Sequence, residues 1–296
     1  MTSCRGGVRG AVLLVAAAVS LAGCAGARPK PMSPPRAQAL EHNRRGVEAE
    51  ARGDREQALA EFLEALRLQS SVDNTDGMIV ALINSARTQR LKGDLSSARQ
   101  GLARALSLLP EGSDLASELF YEKAKVLAAG GELFSAVQWA VRAEAAETGD
   151  ARGRRLNLVA ALKLRQGFPD QAREQLEQAL AFNRKAGMSA EQANSLRLLG
   201  EIELMQGSYE KASERYLGAL LLDKELGLGA RIAADLSGLG AVAAKKGDNA
   251  GAIGWYKRAL EVSRSGGNTL QAADAREKLA QLYRLNGEEA LTRTKP

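Results

Sequence analysis

The sequence predicts an all-α fold, a right-handed superhelical solenoid of helix–turn–helix repeats ended by a C-terminal capping helix. Three observations predict it. First, glycine recurs at Gly53, Gly93, Gly131, Gly167, Gly207 and Gly247, at spacings of 40, 38, 36, 40 and 40 residues. Second, three more small positions keep phase with that glycine. Seven residues before it stand Gly46, Ala86, Ala124, Ala160, Gly200 and Gly240; alanine follows five and twelve residues after it in every unit, from Ala58 and Ala65 to Ala252 and Ala259. Third, a chain of 296 residues that is 45% hydrophobic but only 4% aromatic suits an alanine-rich helical array, not a sheet protein. Self-similarity at such a fixed period is the mark of stacked repeats.

In chain order, residues 1–23 read as a signal peptide. Arg5 and Arg9 make a positive start, no acidic residue precedes Glu41, and the apolar run over residues 11–22 is too short to stay in a bilayer as a spanning helix. The run ends in Leu21-Ala22-Gly23-Cys24, which resembles a bacterial lipobox. That resemblance implies cleavage before Cys24, a diacylglycerol on its thiol and an acyl chain on the new amine. An ordinary cleaved signal is the alternative. Several acyl chains, each gaining about 0.8 kcal/mol per buried CH₂, would make a stable membrane anchor. Ala25, in place of an aspartate, resembles lipoproteins exported to the outer membrane, so the expected location is a lipid anchor facing the periplasm. Residues 24–38 are expected to be the lipidated cysteine and a tether. Four of the seven prolines lie there (Pro29, Pro31, Pro34, Pro35), which favours an extended spacer. Arg28, Lys30 and Arg36 could touch anionic headgroups.

Residues 39–287 carry about six repeats and a half unit. Each repeat reads as two helices joined by a tight turn, whose glycine supplies the left-handed residue that ends the first helix. Asp54, Asp94 and Asp248 follow that glycine, and an aspartate there caps the free N–H groups of the next helix. The small positions fall where two helices approach closely. Phe62, Leu102, Leu176, Tyr216 and Tyr256 are the bulky partners beside them. On these residues the chain resembles the tetratricopeptide repeat family. Units five and six match best, while unit three has Ala140 where an aromatic is usual. The second helices run on to a further glycine, and this longer unit resembles the repeats of kinesin light chains and bacterial peptide-sensing regulators. Residues 268–285 read as the capping helix, with Leu279, Ala280 and Tyr283 turned to the last repeat and Glu277, Lys278, Gln281 and Arg284 turned outward. Residues 288–296 are expected to be a flexible tail.

Charge and residue usage exclude several function classes. The net charge is +6, but residues 1–39 hold five basic and no acidic groups, which leaves the array nearly neutral. No basic stripe is expected on the folded part, so nucleic acid is not an expected partner. The only cysteines are Cys4, within the signal, and Cys24. The array therefore holds no disulfide and no thiol chemistry. The single histidine, His42, has no second histidine or cysteine to complete a metal or nucleophile set. No nucleophile elbow or phosphate loop occurs. The expectation is a non-enzyme with no cofactor, no metal and no small-molecule substrate.

Function is then expected in the surface that stacked hairpins present. In the family resembled, the first helices line a concave groove that takes a peptide or a partner's helix. Its groove-facing positions fall here on Asn43, Val47 and Glu50, then Ile83, Arg87 and Arg90, then Tyr121 and Lys125. Later units give Asn157, Leu164 and Arg165, then Arg197, Glu201 and Leu204, then Ser237 and Lys245. Asn84 matches an asparagine that grips a peptide backbone in long-unit relatives, though the ladder breaks at Leu158, Leu198 and Gly238. Arg87, Arg90, Lys125, Arg154, Arg165 and Arg197 make the middle of the groove basic, which suggests an acidic partner. The expected function is a membrane-anchored scaffold for a protein or peptide partner. The alternative is an assembly factor for a pilus or secretin, outer-membrane or cell-wall machine.

Overall fold

A computed structural model of the protein describes residues 32–285, over which there are thirteen helices and no strand. The signal peptide, Cys24, the tether as far as residue 31, Gly287 and the tail at 288–296 lie outside the described residues. The chain divides after Glu147 into two compact units.

The first unit holds three hairpins: α1 (Pro34–Ala51) with α2 (Arg55–Ser71), α3 (Thr75–Lys92) with α4 (Leu95–Leu108), and α5 (Ala116–Ala129) with α6 (Leu133–Ala145). Helix α1 begins earlier than the sequence suggested. Pro34 and Pro35, assigned to the extended tether, are its first residues, because a proline at the first helical positions lacks only an N–H that has no intrahelical partner there. The hairpin turns follow from their glycines. Gly53, Gly93 and Gly131 all have φ between 83° and 86°. After each, the next N–H bonds back five residues, as in Asp54 N to Ala49 O at 2.9 Å and Asp94 N to Gln89 O at 2.9 Å. This pattern closes the end of a helix on a left-handed residue. Asp54 and Asp94 then cap α2 and α4, accepting from the backbone N–H of Gln57 and Ser97. At the end of α2 no glycine is present, and Asp73 takes the left-handed conformation instead.

The second unit is built alike from α7 (Arg152–Arg165), α8 (Pro169–Lys185), α9 (Ser189–Met205), α10 (Tyr209–Glu225), α11 (Gly229–Lys245), α12 (Asn249–Ser265) and α13 (Thr269–Leu285). Here both helices of a hairpin end on a left-handed glycine: Gly167, Gly207 and Gly247 after the first helices, Gly187, Gly227 and Gly267 after the second. Besides neighbours in sequence, first helices touch one another: α7 meets α9, α9 meets α11 and α11 meets α13. They therefore form one continuous face of the unit.

The small positions mark close approach, as their period implied. A methyl group on Gly46 would meet the ring of Phe62, one on Gly200 the ring of Tyr216 at 3.1 Å, and one on Gly240 the ring of Tyr256 at 3.0 Å. Ala86, Ala124 and Ala160 fill the same role, fully buried. Leu102 and Leu176 are buried partners of the same kind. Helix α13 is a seventh first-type helix. Its Leu279, Leu282 and Tyr283 cover Ala243, Ala252 and Tyr256, with Trp255 at the margin. No described helix is long and apolar enough to cross a membrane.

Candidate binding groove

The first helices bring their charged residues together with carboxylates of the next repeat. Arg87 and Arg90 of α3 both reach α5: Arg87 lies 2.7 Å from Glu118 and 3.5 Å from Glu122, and Arg90 Nε lies 2.7 Å from Glu122. Lys125 is the third cation around Glu122, at 3.4 Å. The Glu122 side chain is fully buried. Burial alone would raise its carboxyl, but Lys125, Arg90 and Arg87 outweigh burial and hold it below the ordinary value. These three cations are therefore engaged by the chain's own acids. They do not present a free positive surface to an acidic partner: Arg87 and Arg90 find their acids 31 to 35 residues away, a separation no local pattern reports, and Lys125 finds Glu122 one turn back on its own helix.

The remaining expected groove residues divide in the same way. Asn84 accepts a long bond from Arg87 of its own helix, at 3.4 Å. Asn43 is half-buried with Oδ1 turned inward, and Glu50 accepts from Thr88 Oγ1 at 3.0 Å. Tyr121 stands half-buried beneath the Lys125 ammonium, 5.2 Å from its ring centre. Ile83 and Leu164 are core residues. Asn157 is buried as well: it donates to Glu191 O at 2.9 Å and accepts from Ser195 Oγ at 2.7 Å, tying α7 to α9. Arg165 is exposed. His42 pairs with Glu61 at 2.7 Å across the first hairpin. Among the described residues no group of His, Cys, Asp or Glu is placed to hold a metal ion.

Arg197 behaves as Arg87 does. From α9 it reaches Asp235 of α11 at 2.7 Å, and also Asp223 of α10. Both carboxylates are fully buried. Burial raises both carboxyls despite Arg197, and Asp235 is lifted to about 6. Beside this cluster the first helices of the second unit open into a concavity of about 330 Å³. Arg197 and Glu201 of α9, Ala234, Ser237, Gly238 and Ala241 of α11, and Asp274 and Lys278 of α13 form its walls. Its floor comes from the second helices, where Tyr216 and Tyr256 reach up between the first.

The floor explains a glycine that periodicity left as an interruption. At Gly238, where the asparagine ladder breaks, a Cβ would fall 2.6 Å from Tyr216 Cζ. A side chain there would push the ring out of its slot. With Gly200 on one side and Gly238 on the other, Tyr216 keeps only 5% of its surface exposed, as does Tyr256. Yet neither phenol hydroxyl has a hydrogen-bond partner among the described residues. Burial raises both hydroxyls above the ordinary tyrosine value, Tyr216 with the charge of Glu201 adding to it and Tyr256 with that of Asp274. Glu201, at the rim, keeps solvent contact, and the walls around it lift its carboxyl above the usual range. Sequence reasoning assigned the tyrosines to packing and did not single out Asp274. The ring's packing role was visible in the repeat, but the opening above its hydroxyl was not.

Comparison with known proteins agrees with the helical-hairpin fold. The tetratricopeptide repeat family model matches residues 154–224. No curated protein sequence matches the chain. Among solved structures, the pilF protein of Pseudomonas aeruginosa is similar with a TM-score of 0.56 and 17% identity, over 82% of this chain and 98% of that one. A Rap protein in complex with competence and sporulation factor is similar with a TM-score of 0.66 and 18% identity, over 86% of this chain and 73% of that one. A signal-transduction ATPase from Pyrococcus horikoshii, which carries a tetratricopeptide repeat sensor, gives a TM-score of 0.66 and 17% identity, over 85% of this chain and 39% of that one. The fold is that of a tetratricopeptide repeat scaffold, an architecture typical of protein–protein interaction.

Proposed function

We propose that this chain is a scaffold held to the cell envelope by lipid on Cys24, and that it binds an extended segment of a partner protein in the groove of its second unit. The observation that carries the reading is the floor of that groove. Two phenol hydroxyls, on rings otherwise buried, belong to residues that line a concavity and have no protein partner among the described residues, so both can donate to and accept from a ligand. A peptide backbone or a polar side chain supplies the missing partners. A similar fold in the Rap protein, which has a factor bound, supports a peptide as occupant. An assembly role in an envelope machine is one use of such binding.

Placing a photoreactive residue at Ser237, on the groove wall, and separately at Leu217, on the exposed side of α10, tests the site. A discrete adduct from Ser237 alone supports the groove, and equal adducts from both positions refute it. Cys24→Ser tests the anchor, because a hydroxyl cannot carry the thioether. The variant is expected to take up no labelled fatty acid and to leave the membrane fraction, and wild-type protein that does the same would refute lipidation.

A further inference from the structure

We infer that the groove of the second unit selects a basic segment, seating a lysine or arginine side chain between the Glu201 carboxylate and the Tyr216 hydroxyl. This rests on the groove reading above and names the chemistry of its occupant.

The charges that line the groove decide the sign. Arg197, the most conspicuous cation there, spends its guanidinium on Asp223 and Asp235, both fully buried, so it offers no free charge to a ligand. Asp274 and Lys278, of opposite charge and one turn apart on α13, add no net charge to the wall between them, although no ion pair joins them. Glu201 lies on α9, with α11 between it and α13, and has no ion pair or hydrogen bond among the described residues. It is thus a carboxylate on the wall of a concavity without a cation of its own. Glu201 is exposed to water on one side, and the walls of the concavity raise its carboxyl with no positive group acting on it. Every other acid named in the first-helix clusters, Glu118, Glu122, Asp223 and Asp235, has an arginine.

The phenol supplies the second, independent indication. Tyr216 is 95% buried, its ring held between Gly200 and Gly238; it lines the groove, and its hydroxyl has no protein partner among the described residues. Ser237, on the adjoining wall, also has no hydrogen bond among the described residues. Three oxygen-bearing side chains thus line one space: one anionic, two neutral. A carboxylate accepts only, while phenol and serine oxygens can accept as well as donate. An ammonium carries three donors and a guanidinium five, so either can satisfy this set, and bonds to an ionised acceptor are the strong ones. An acidic side chain would face Glu201 as a like charge and leave the carboxylate unmatched.

Fluorescence anisotropy on the full chain tests this with labelled Ser/Gly peptides carrying arginine, glutamine or glutamate at every third position. The arginine peptide is expected to bind about tenfold or more tightly than the other two, a factor that falls as salt rises. Glu201→Gln is expected to remove that preference, Tyr216→Phe to weaken the arginine peptide a few-fold, and Glu177→Gln, at an exposed position of α8 outside the groove lining, to leave the preference in place. A preference unchanged by Glu201→Gln, a stronger glutamate peptide, or no binding of the arginine peptide at about 1 mM would each overturn the inference. Ala241→Trp, which fills the groove, separates this from the underlying reading. Loss of all peptide binding in that variant with no charge preference in wild type sinks only the basic occupant. Binding that survives Ala241→Trp sinks the groove itself.

Discussion

Asp235→Asn is the sharpest test of the electrostatics beneath the groove. Asp223 and Asp235 come from adjacent helices, both side chains are fully buried, and they share the single guanidinium of Arg197. Burial is the main force that lifts Asp235, opposed by Arg197 and reinforced by the charge of Asp223, and the carboxyl stands at about 6 against an ordinary 3.8. Asp223 is raised as well, by burial against the pull of Arg197 and Arg231. An acid raised in the folded state keeps its proton to higher pH than the unfolded chain does. Its favourable contribution is therefore complete below about pH 4 and is lost as pH rises to about 6. A shift of this size corresponds to at most about 3 kcal/mol, at roughly 1.4 kcal/mol per pH unit.

The amide variant cannot ionise, and its Oδ1 can still accept from Arg197. Replacing a charged hydrogen bond by a neutral one gives back about 1 kcal/mol. The expected balance is a variant more stable than wild type by about 1–2 kcal/mol at pH 8 and no more stable than it at pH 4. Urea unfolding followed by Trp255, in a background carrying Trp139→Phe so that only the second unit reports, reads the difference at each pH. A variant that keeps the wild-type slope between pH 4 and 6, or that is the less stable protein at pH 8, would refute burial of Asp235 as the cause.

Three further outcomes follow from the packing. Glu122→Gln leaves Arg87, Arg90 and Lys125 crowded around a neutral group and should cost the first unit about 3–5 kcal/mol, read by Trp139 fluorescence on unfolding. Because Glu122 is held low, wild type should lose the same stabilisation as pH falls through the acidic range, and a pH-independent first unit would contradict this. Gly238→Ala should destabilise, since overpacking against Tyr216 at about 1–3 kcal/mol exceeds the roughly 1 kcal/mol that alanine gains over glycine in a helix. Gly254→Ala, where a methyl group meets nothing within 4 Å, should stabilise by up to about 1 kcal/mol, so equal melting shifts in the two variants would count against the slot. Ending the chain after Gly267 should expose the face of Tyr256 and Trp255 that Leu279, Leu282 and Tyr283 cover, and cause aggregation on sizing; a monomer as stable as the full chain would show that α13 is no cap.

The repeat fold was legible in the sequence because its determinants are local. One glycine sets one turn, an aspartate beside it caps one helix, and a small residue recurs wherever two helices touch, so a period alone exposes them. The charges obey a different rule. Arg87, Arg90 and Arg197 look like a basic groove when only their own helices are read, because their acids lie on other helices and in later segments, at Glu118, Glu122, Asp223 and Asp235. Which of two nearby carboxylates turns inward depends on the rotation of one helix against its neighbour, and a 40-residue period does not carry that phase. The ring of Tyr216 shows the same limit from the other side. Its bulk, matched to Gly200, was readable as packing, but its hydroxyl needs a second absence, the missing Cβ of Gly238 on the next first helix, before it can lie in a slot that opens on the groove. The chemistry of the groove wall therefore lies in what neighbouring repeats do differently, Glu201 against Ala241 and Arg197 against Ser237, while the period reports only what they do alike.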